Sequence, residues 1–170
     1  MAVLEIKEYP HPILAQKALC VKDFNHNLNK LINDMIETMF SNNGVGLAAP
    51  QVGYSLRIFT FSINKKDGGQ EEVGVVINPE IISQKGEIRE EEGCLSVPDY
   101  QEKIKRKSMI VVTGFDINGK RVTLEAEGLL ARIFQHEIDH LNGILLIDRI
   151  SRLKRDIFLR KMKKKIKQRK

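Results

Sequence analysis

The chain has 170 residues, 42% of them hydrophobic and 29% charged, with a net charge of +6. That is the size and composition of one globular domain around one core. No apolar run is long enough to span a bilayer, and the start, Met1-Ala2-Val3-Leu4-Glu5-Ile6-Lys7-Glu8, carries acids where a signal peptide has its apolar stretch. A cytoplasmic protein with no membrane partner is expected.

Pro10-His11-Pro12 opens the chain with a rigid turn. Two cysteines, Cys20 and Cys94, are too few for a disulfide scaffold. Cys20, among Ala18, Leu19 and Val21, reads as a buried free thiol. From Asn27 to Phe40 the spacing of Leu28, Leu31, Ile32, Met35, Ile36 and Met39 predicts an amphipathic helix ending into Ser41-Asn42-Asn43-Gly44. The segment Gly44-Val45-Gly46-Leu47-Ala48-Ala49-Pro50-Gln51-Val52-Gly53 follows; alone, its Gly44-Val45-Gly46 stretch reads as a tight turn between helix and strand. Arg57–Ile63 and Val73–Pro79 read as strands around a polar turn at Asp67-Gly68-Gly69. Glu80 to Ile88 suggests a further strand. Ile104 to Phe115 reads as one strand, with Asp116-Ile117-Asn118-Gly119 as a hairpin turn and Arg121–Ala126 as its return. Gly128 to Leu141 predicts a helix stopped by Asn142-Gly143, and the tail predicts another. This order implies an α+β fold, with mixed or antiparallel sheets packed around a central helix and a helix at the C-terminus. Residues 1–150 are expected to form the body of the domain and residues 151–170 an extension of it.

The central helix carries His136-Glu137-Ile138-Asp139-His140. Positions i and i+4 share a helix face, so both imidazoles reach one ion, and Glu137 then lies beside a water in its open position. Such a water becomes acidic enough to act near neutral pH. The plainer alternative is two partly buried histidines on an amphipathic helix. For Asp139 the choice is between an exposed helix charge and a partner for an imidazole. A catalytic site normally needs a third protein ligand. Downstream of His140 stand only Asp148 and Asp156, and for Asp148 a capping or surface role is plainer. Upstream stands Cys94, in Glu92-Gly93-Cys94-Leu95-Ser96-Val97-Pro98.

Taken together, Gly44-Val45-Gly46-Leu47-Ala48-Ala49-Pro50-Gln51, Glu92-Gly93-Cys94-Leu95-Ser96 and Gln135-His136-Glu137-Ile138-Asp139-His140 closely resemble the three motifs of the peptide deformylase family. The resemblance spans most of residues 1–150. It implies a metal-dependent hydrolase that removes the formyl group from the N-terminal formylmethionine of nascent chains and releases formate. It implies Cys94, His136 and His140 as metal ligands, with Fe2+ as the native ion and Zn2+ or another divalent metal able to substitute. It implies Glu137 as general base, Gln51 and the Leu95 backbone N–H as oxyanion donors, and Gly46 as a binder of substrate backbone. A methionine pocket should be apolar, and Val45, Leu129, Ile133 and the stem of Glu92 are its expected lining. Arg132 points either to that pocket's mouth or to solvent, and Tyr100 and Gln101 carry no assignment. A zinc metallopeptidase built on the same helix is the competing enzyme reading. A structural metal site in an RNA-binding module is the competing non-enzyme reading.

The charge is uneven. Residues 151–170 hold eleven Lys or Arg and one acid, Asp156, which leaves 17 bases against 21 acids on residues 1–150. A mildly acidic body with a strongly basic tail implies an anionic partner for the tail. Leu153, Ile157, Phe158, Met162 and Ile166 form an apolar stripe, and the first half of the tail is expected to dock by it. Similar enzymes associate with the ribosome through this helix, so the ribosome is the expected partner.

Overall fold

The computed structural model describes residues 1–64 and 68–169. The predicted turn at Asp67-Gly68-Gly69 therefore lies partly outside the described residues. In chain order the elements are α1 (His26–Ser41), β1 (Gly46–Ala48), β2 (Ile58–Ile63), β3 (Glu72–Lys85), β4 (Ile88–Cys94), β5 (Val97–Arg106), β6 (Met109–Phe115), β7 (Arg121–Glu127), α2 (Leu129–Leu141) and α3 (Arg152–Gln168). Short 3-10 turns lie at Pro12–Ala15, Ala49–Val52 and Leu146–Asp148. The α+β expectation holds: five strands in the order β1-β2-β3-β6-β7 form an antiparallel sheet, and β4-β5 form a separate hairpin.

Strand alternation explains the layers. On β2, Phe59 and Phe61 point to one face and pack with Phe134 of α2, at ring centroid distances of 5.3 and 4.8 Å. Ile58 points to the other face and packs with Ile32, Met35 and Met39 of α1. Leu47 and Ala48 of β1 divide between the same two clusters. The sheet therefore lies between α1 and α2, and β2, covered on both sides, is buried along nearly its whole length, Thr60 and Ser62 included. A third cluster, with Leu14, Val97, Ile104, Leu146 and Ile147, ties the hairpin to the segment after α2.

Local chemistry sets the ends of the helices. The Asn25 side chain accepts from Leu28 N at 3.0 Å and starts α1; the Ser151 hydroxyl accepts from Lys154 N and starts α3. After α2, Gly143 turns the chain at φ 73°, and a Cβ there would meet Ala15 O at 2.6 Å, so glycine alone fits.

Several expectations need correction. Val73–Pro79 and much of Glu80–Ile88 are one strand, β3, which passes Asn78-Pro79 by a bulge between Ile77 and Glu80. Ile104–Phe115 is two strands, broken at Lys107-Ser108, where the Gln135 side chain takes up both Lys107 N and Lys107 O. Cys20 is exposed, not buried: the segment is extended, with Ala18 and Val21 turned inward and Leu19 and Cys20 outward. On α3 the docked side chain is Phe158, edge-on to Tyr9 and Tyr100, with Leu159 and Met162 beside it. Leu153 and Ile157, expected in the docked stripe, face solvent. Lys154 pairs with Glu102 at 2.9 Å and adds an anchor on that side.

Candidate active site

The hairpin β4-β5 and the helix α2 bring the three motifs to one place. Cys94 is the last residue of β4, and its Sγ lies 3.3 Å from His140 Nε2. His140 Nε2 lies 3.2 Å from His136 Nε2. One donor atom from each of Cys94, His136 and His140 lies within 4.8 Å of the others. Ligands of a tetrahedral ion at about 2.0–2.3 Å stand roughly 3.3–3.6 Å apart, so this donor set fits a metal, and one thiolate with two imidazoles suits Fe(II) or Zn(II). Asp148 is not part of it. Its carboxylate accepts from Leu145 N at 2.9 Å and pairs with Arg155, which is the capping role.

Glu137 faces the same space. It is 4% exposed, and its Oε2 has no hydrogen-bond partner among the described residues. Burial pushes its carboxyl up to about 7, against the opposing pull of His136. Burial, together with the neighbouring His136, holds His140 well below its ordinary value, which keeps a lone pair free. His136 is held the opposite way: burial lowers it, but Cys94 and Glu92 outweigh burial and raise it.

Gln51 sits in the turn after β1 and is almost fully buried. Its Oε1 accepts from Ala48 N at 2.9 Å, which fixes the amide so that Nε2 turns toward Cys94 Sγ, at 3.7 Å, and Ser96 Oγ, at 3.2 Å. Ser96 is an orienting partner that the residue pattern did not reveal, although it stands inside the quoted motif.

A cleft of about 1010 Å³ opens over these groups. Its lining includes all five expected substrate-side residues, Val45, Gly46, Glu92, Leu129 and Ile133, together with Leu95. Val45 and Leu129 are half exposed, so the cleft has apolar walls open to solvent. β1 forms one rim. It is the edge strand of the sheet, paired only with β2 among the described strands. Gly46 approaches Glu137 closely: a Cβ on it would stand 2.5 Å from Glu137 Oε1 and 3.0 Å from Cδ. Arg132 is now placed. It lines the cleft, donates to Glu91 O at 2.6 Å, and holds its Nε 3.9 Å from Glu92 Oε1. Gln101, opposite Gly93, and Tyr100 both line the cleft, and Tyr100 also packs against Phe158 of α3.

Glu92 does more than line the cleft. Its Oε2 lies 3.1 Å from His136 Nδ1, and its two oxygens accept from Arg106 Nε and Nη2 at 3.0 and 2.9 Å. Burial alone would raise its carboxyl, but His136 and Arg106 bring it down to about 2. Asp139 is neither an exposed charge nor an imidazole partner. It is buried and accepts from Arg106 and Arg149. Arg106 was hidden in the run Lys103-Ile104-Lys105-Arg106-Lys107. The two-residue strand period puts it on the face of Ile104, and both are buried.

Known proteins bear directly on this geometry. A profile of the family described as Polypeptide deformylase matches residues 3–156. A peptide deformylase of Thermodesulfovibrio yellowstonii is 53% identical over 165 residues, 97% of this chain and 99% of that protein. The crystal structure of a peptide deformylase from Legionella pneumophila superimposes with a TM-score of 0.88 at 43% identity, covering 99% of each chain. That of a peptide deformylase from Ehrlichia chaffeensis in complex with actinonin gives 0.90 at 40% identity, covering 97% of this chain and 98% of the other.

Proposed function

This chain belongs to the polypeptide deformylase family, and from that premise we propose which residues carry its reaction, which metal they hold and which partner the tail meets. The reaction is that of a metal-dependent hydrolase: the formyl group is removed from the N-terminal formylmethionine of newly synthesised proteins and formate is released. The zinc metallopeptidase and the RNA-binding module are set aside on the same ground.

Cys94, His136 and His140 would hold the ion, with Fe2+ the native one and Zn2+ able to stand in. The observation that carries this assignment is the convergence of their donor atoms beside the buried Glu137 carboxylate, whose Oε2 has no hydrogen-bond partner among the described residues. When bound, the ion supplies Lewis-acid polarisation and makes a water acidic enough to attack near neutral pH. Glu137 Oε2 takes the proton of the attacking water and returns it to the departing amine nitrogen. Gln51 Nε2 and the Leu95 N–H donate to the oxygen that gains negative charge, each worth about 3 kcal/mol when held in place. The fixed amide of Gln51 supports its part in this pair.

The substrate backbone lies along Gly46 at the free edge of β1, as an added strand, and the methionine side chain enters between Val45, Leu129, Ile133 and the Glu92 stem. Gly46 serves two ends, since any side chain there strikes Glu137. Gly46→Ala is expected to lower kcat about 100-fold, the cost of displacing a reacting group by about 1 Å. Steady-state formate release with the metal-loaded variant measures this. Activity within threefold of the parent would remove Gly46 and the placement of Glu137 from the scheme.

The reaction belongs to the cytoplasm, where chains begin with formylmethionine. No described helix is long and apolar enough to cross a membrane. The tail meets the ribosome. Beyond Phe158, Leu159 and Met162 the helix has little to dock with, and its lysines are exposed. Ending the chain after Arg160 should leave hydrolysis of short formyl peptides within twofold and abolish salt-sensitive co-sedimentation with ribosomes. Co-sedimentation equal to that of the full chain would sink the assignment.

A further inference from the structure

We propose that Arg149, on the segment after α2, is a positioning residue for His136 and acts through Asp139, Arg106 and Glu92. The four charged side chains form one continuous chain of hydrogen bonds. Arg149 Nη2 donates to Asp139 Oδ1 at 2.6 Å and its Nε donates to Oδ2 at 2.8 Å. Arg106 Nη1 donates to the same Oδ2 at 2.6 Å. Arg106 turns its other edge to both oxygens of Glu92, and Glu92 Oε2 meets His136 Nδ1.

The charges alternate along this chain, two guanidinium groups with two carboxylates, so the set is balanced once Arg149 is counted. The side chains of Arg106, Glu92 and Asp139 are under a tenth exposed, whereas that of Arg149 is 42% exposed. Arg149 reaches solvent in a second cleft, of about 410 Å³, on a different face of α2 from the first. Removing its side chain would strip Asp139 Oδ1 of its donor at a buried position, which low-dielectric surroundings make costly. Among the described residues Arg106 is then the one remaining cation bonded to Asp139. A share of Arg106 drawn toward Asp139 is a share withdrawn from Glu92. Glu92 in turn keeps the proton on His136 Nδ1 and the ring in place, leaving Nε2 for the ion.

This inference rests on the assignment of His136 as a ligand. Losing a direct outer partner of a metal-binding histidine costs about 10- to 100-fold in affinity. Arg149 stands three links away, and an acceleration of metal loss by about five- to tenfold is expected.

The test uses zinc-loaded full-length protein and the rate of zinc transfer to a chelator at 25 °C, alongside thermal midpoints and the 15N signals of the His136 ring. Arg149→Met should release zinc about five- to tenfold faster and broaden or shift the His136 Nδ1 signal. Arg149→Lys, which keeps the charge but not the paired bonds, should fall between, and it decides the matter if the methionine variant does not fold. Arg155→Met, which breaks the Arg155–Asp148 pair at 3.2 Å outside the chain, should release zinc like the parent. In a Glu92→Gln background Arg149→Met should add little, because the path is already cut. Parental release rates in both Arg149 variants would overturn the proposal, as would equal acceleration in Arg155→Met or a full additional effect on top of Glu92→Gln. Failure of the parent chain to bind one zinc would instead overturn the ligand assignment.

Discussion

Glu137→Gln is expected to keep one metal ion per chain and to lose about 10²- to 10⁴-fold in kcat. The carboxylate lies beside the donor set without belonging to it, since the three converging atoms come from Cys94, His136 and His140. Glutamine preserves the size of the side chain and its close fit to Gly46 while removing the capacity to take a proton. Metal content and formate release, measured on the same preparation, separate the two effects. Loss of metal together with activity would make Glu137 a ligand, and activity within tenfold of the parent would remove it as the base.

Cys94→Ala is expected to weaken metal binding by more than about 100-fold, beyond the loss of an outer partner, and to bring activity to background in protein prepared without excess metal. One of three donors is gone, while Gln51 keeps its hold on Ala48 N and Ser96 Oγ, so the surrounding structure should persist. Cys20→Ser is the matching control. That thiol is exposed and stands outside the cleft, so the variant should bind metal and turn over as the parent does. Stoichiometric metal in Cys94→Ala would remove the cysteine from the ligand set.

Helices read clearly from the sequence because each carries a strong three-to-four period. α1 and α2 lie within a residue or two of their expected ends, and the Asn142-Gly143 stop of α2 is where the backbone turns. Strand ends read less well. No glycine or proline marks the break at Lys107-Ser108, and Asn78-Pro79, which resembles an end, is absorbed as a bulge. The hairpin β4-β5 carries mostly charged side chains in solvent, so its first half shows little apolar alternation.

The two histidines stood out by their helical spacing, whereas Cys94 entered only with the motifs that carry the family resemblance; the fold brings donor atoms of all three within 4.8 Å of one another. Val45, Leu129, Ile133 and Glu92, named as candidates for an apolar methionine pocket, all line the cleft. Arg106, Asp139 and Arg149 were not legible, because charged residues on a strand and a helix usually face solvent and their burial depends on contacts between distant segments. Only the assembled fold brings Arg106 and Asp139, 33 positions apart in the sequence, to hydrogen-bond distance.

Anaerobic hydrolysis of formyl-Met-Ala-Ser, with formate and peptide products measured for iron-loaded, zinc-loaded and metal-free chain, tests the central claim most directly. Formate and intact Met-Ala-Ser should appear with either metal, more with iron, and neither should appear without metal. Formate release by the metal-free chain, or cleavage within the peptide in place of deformylation, would contradict it.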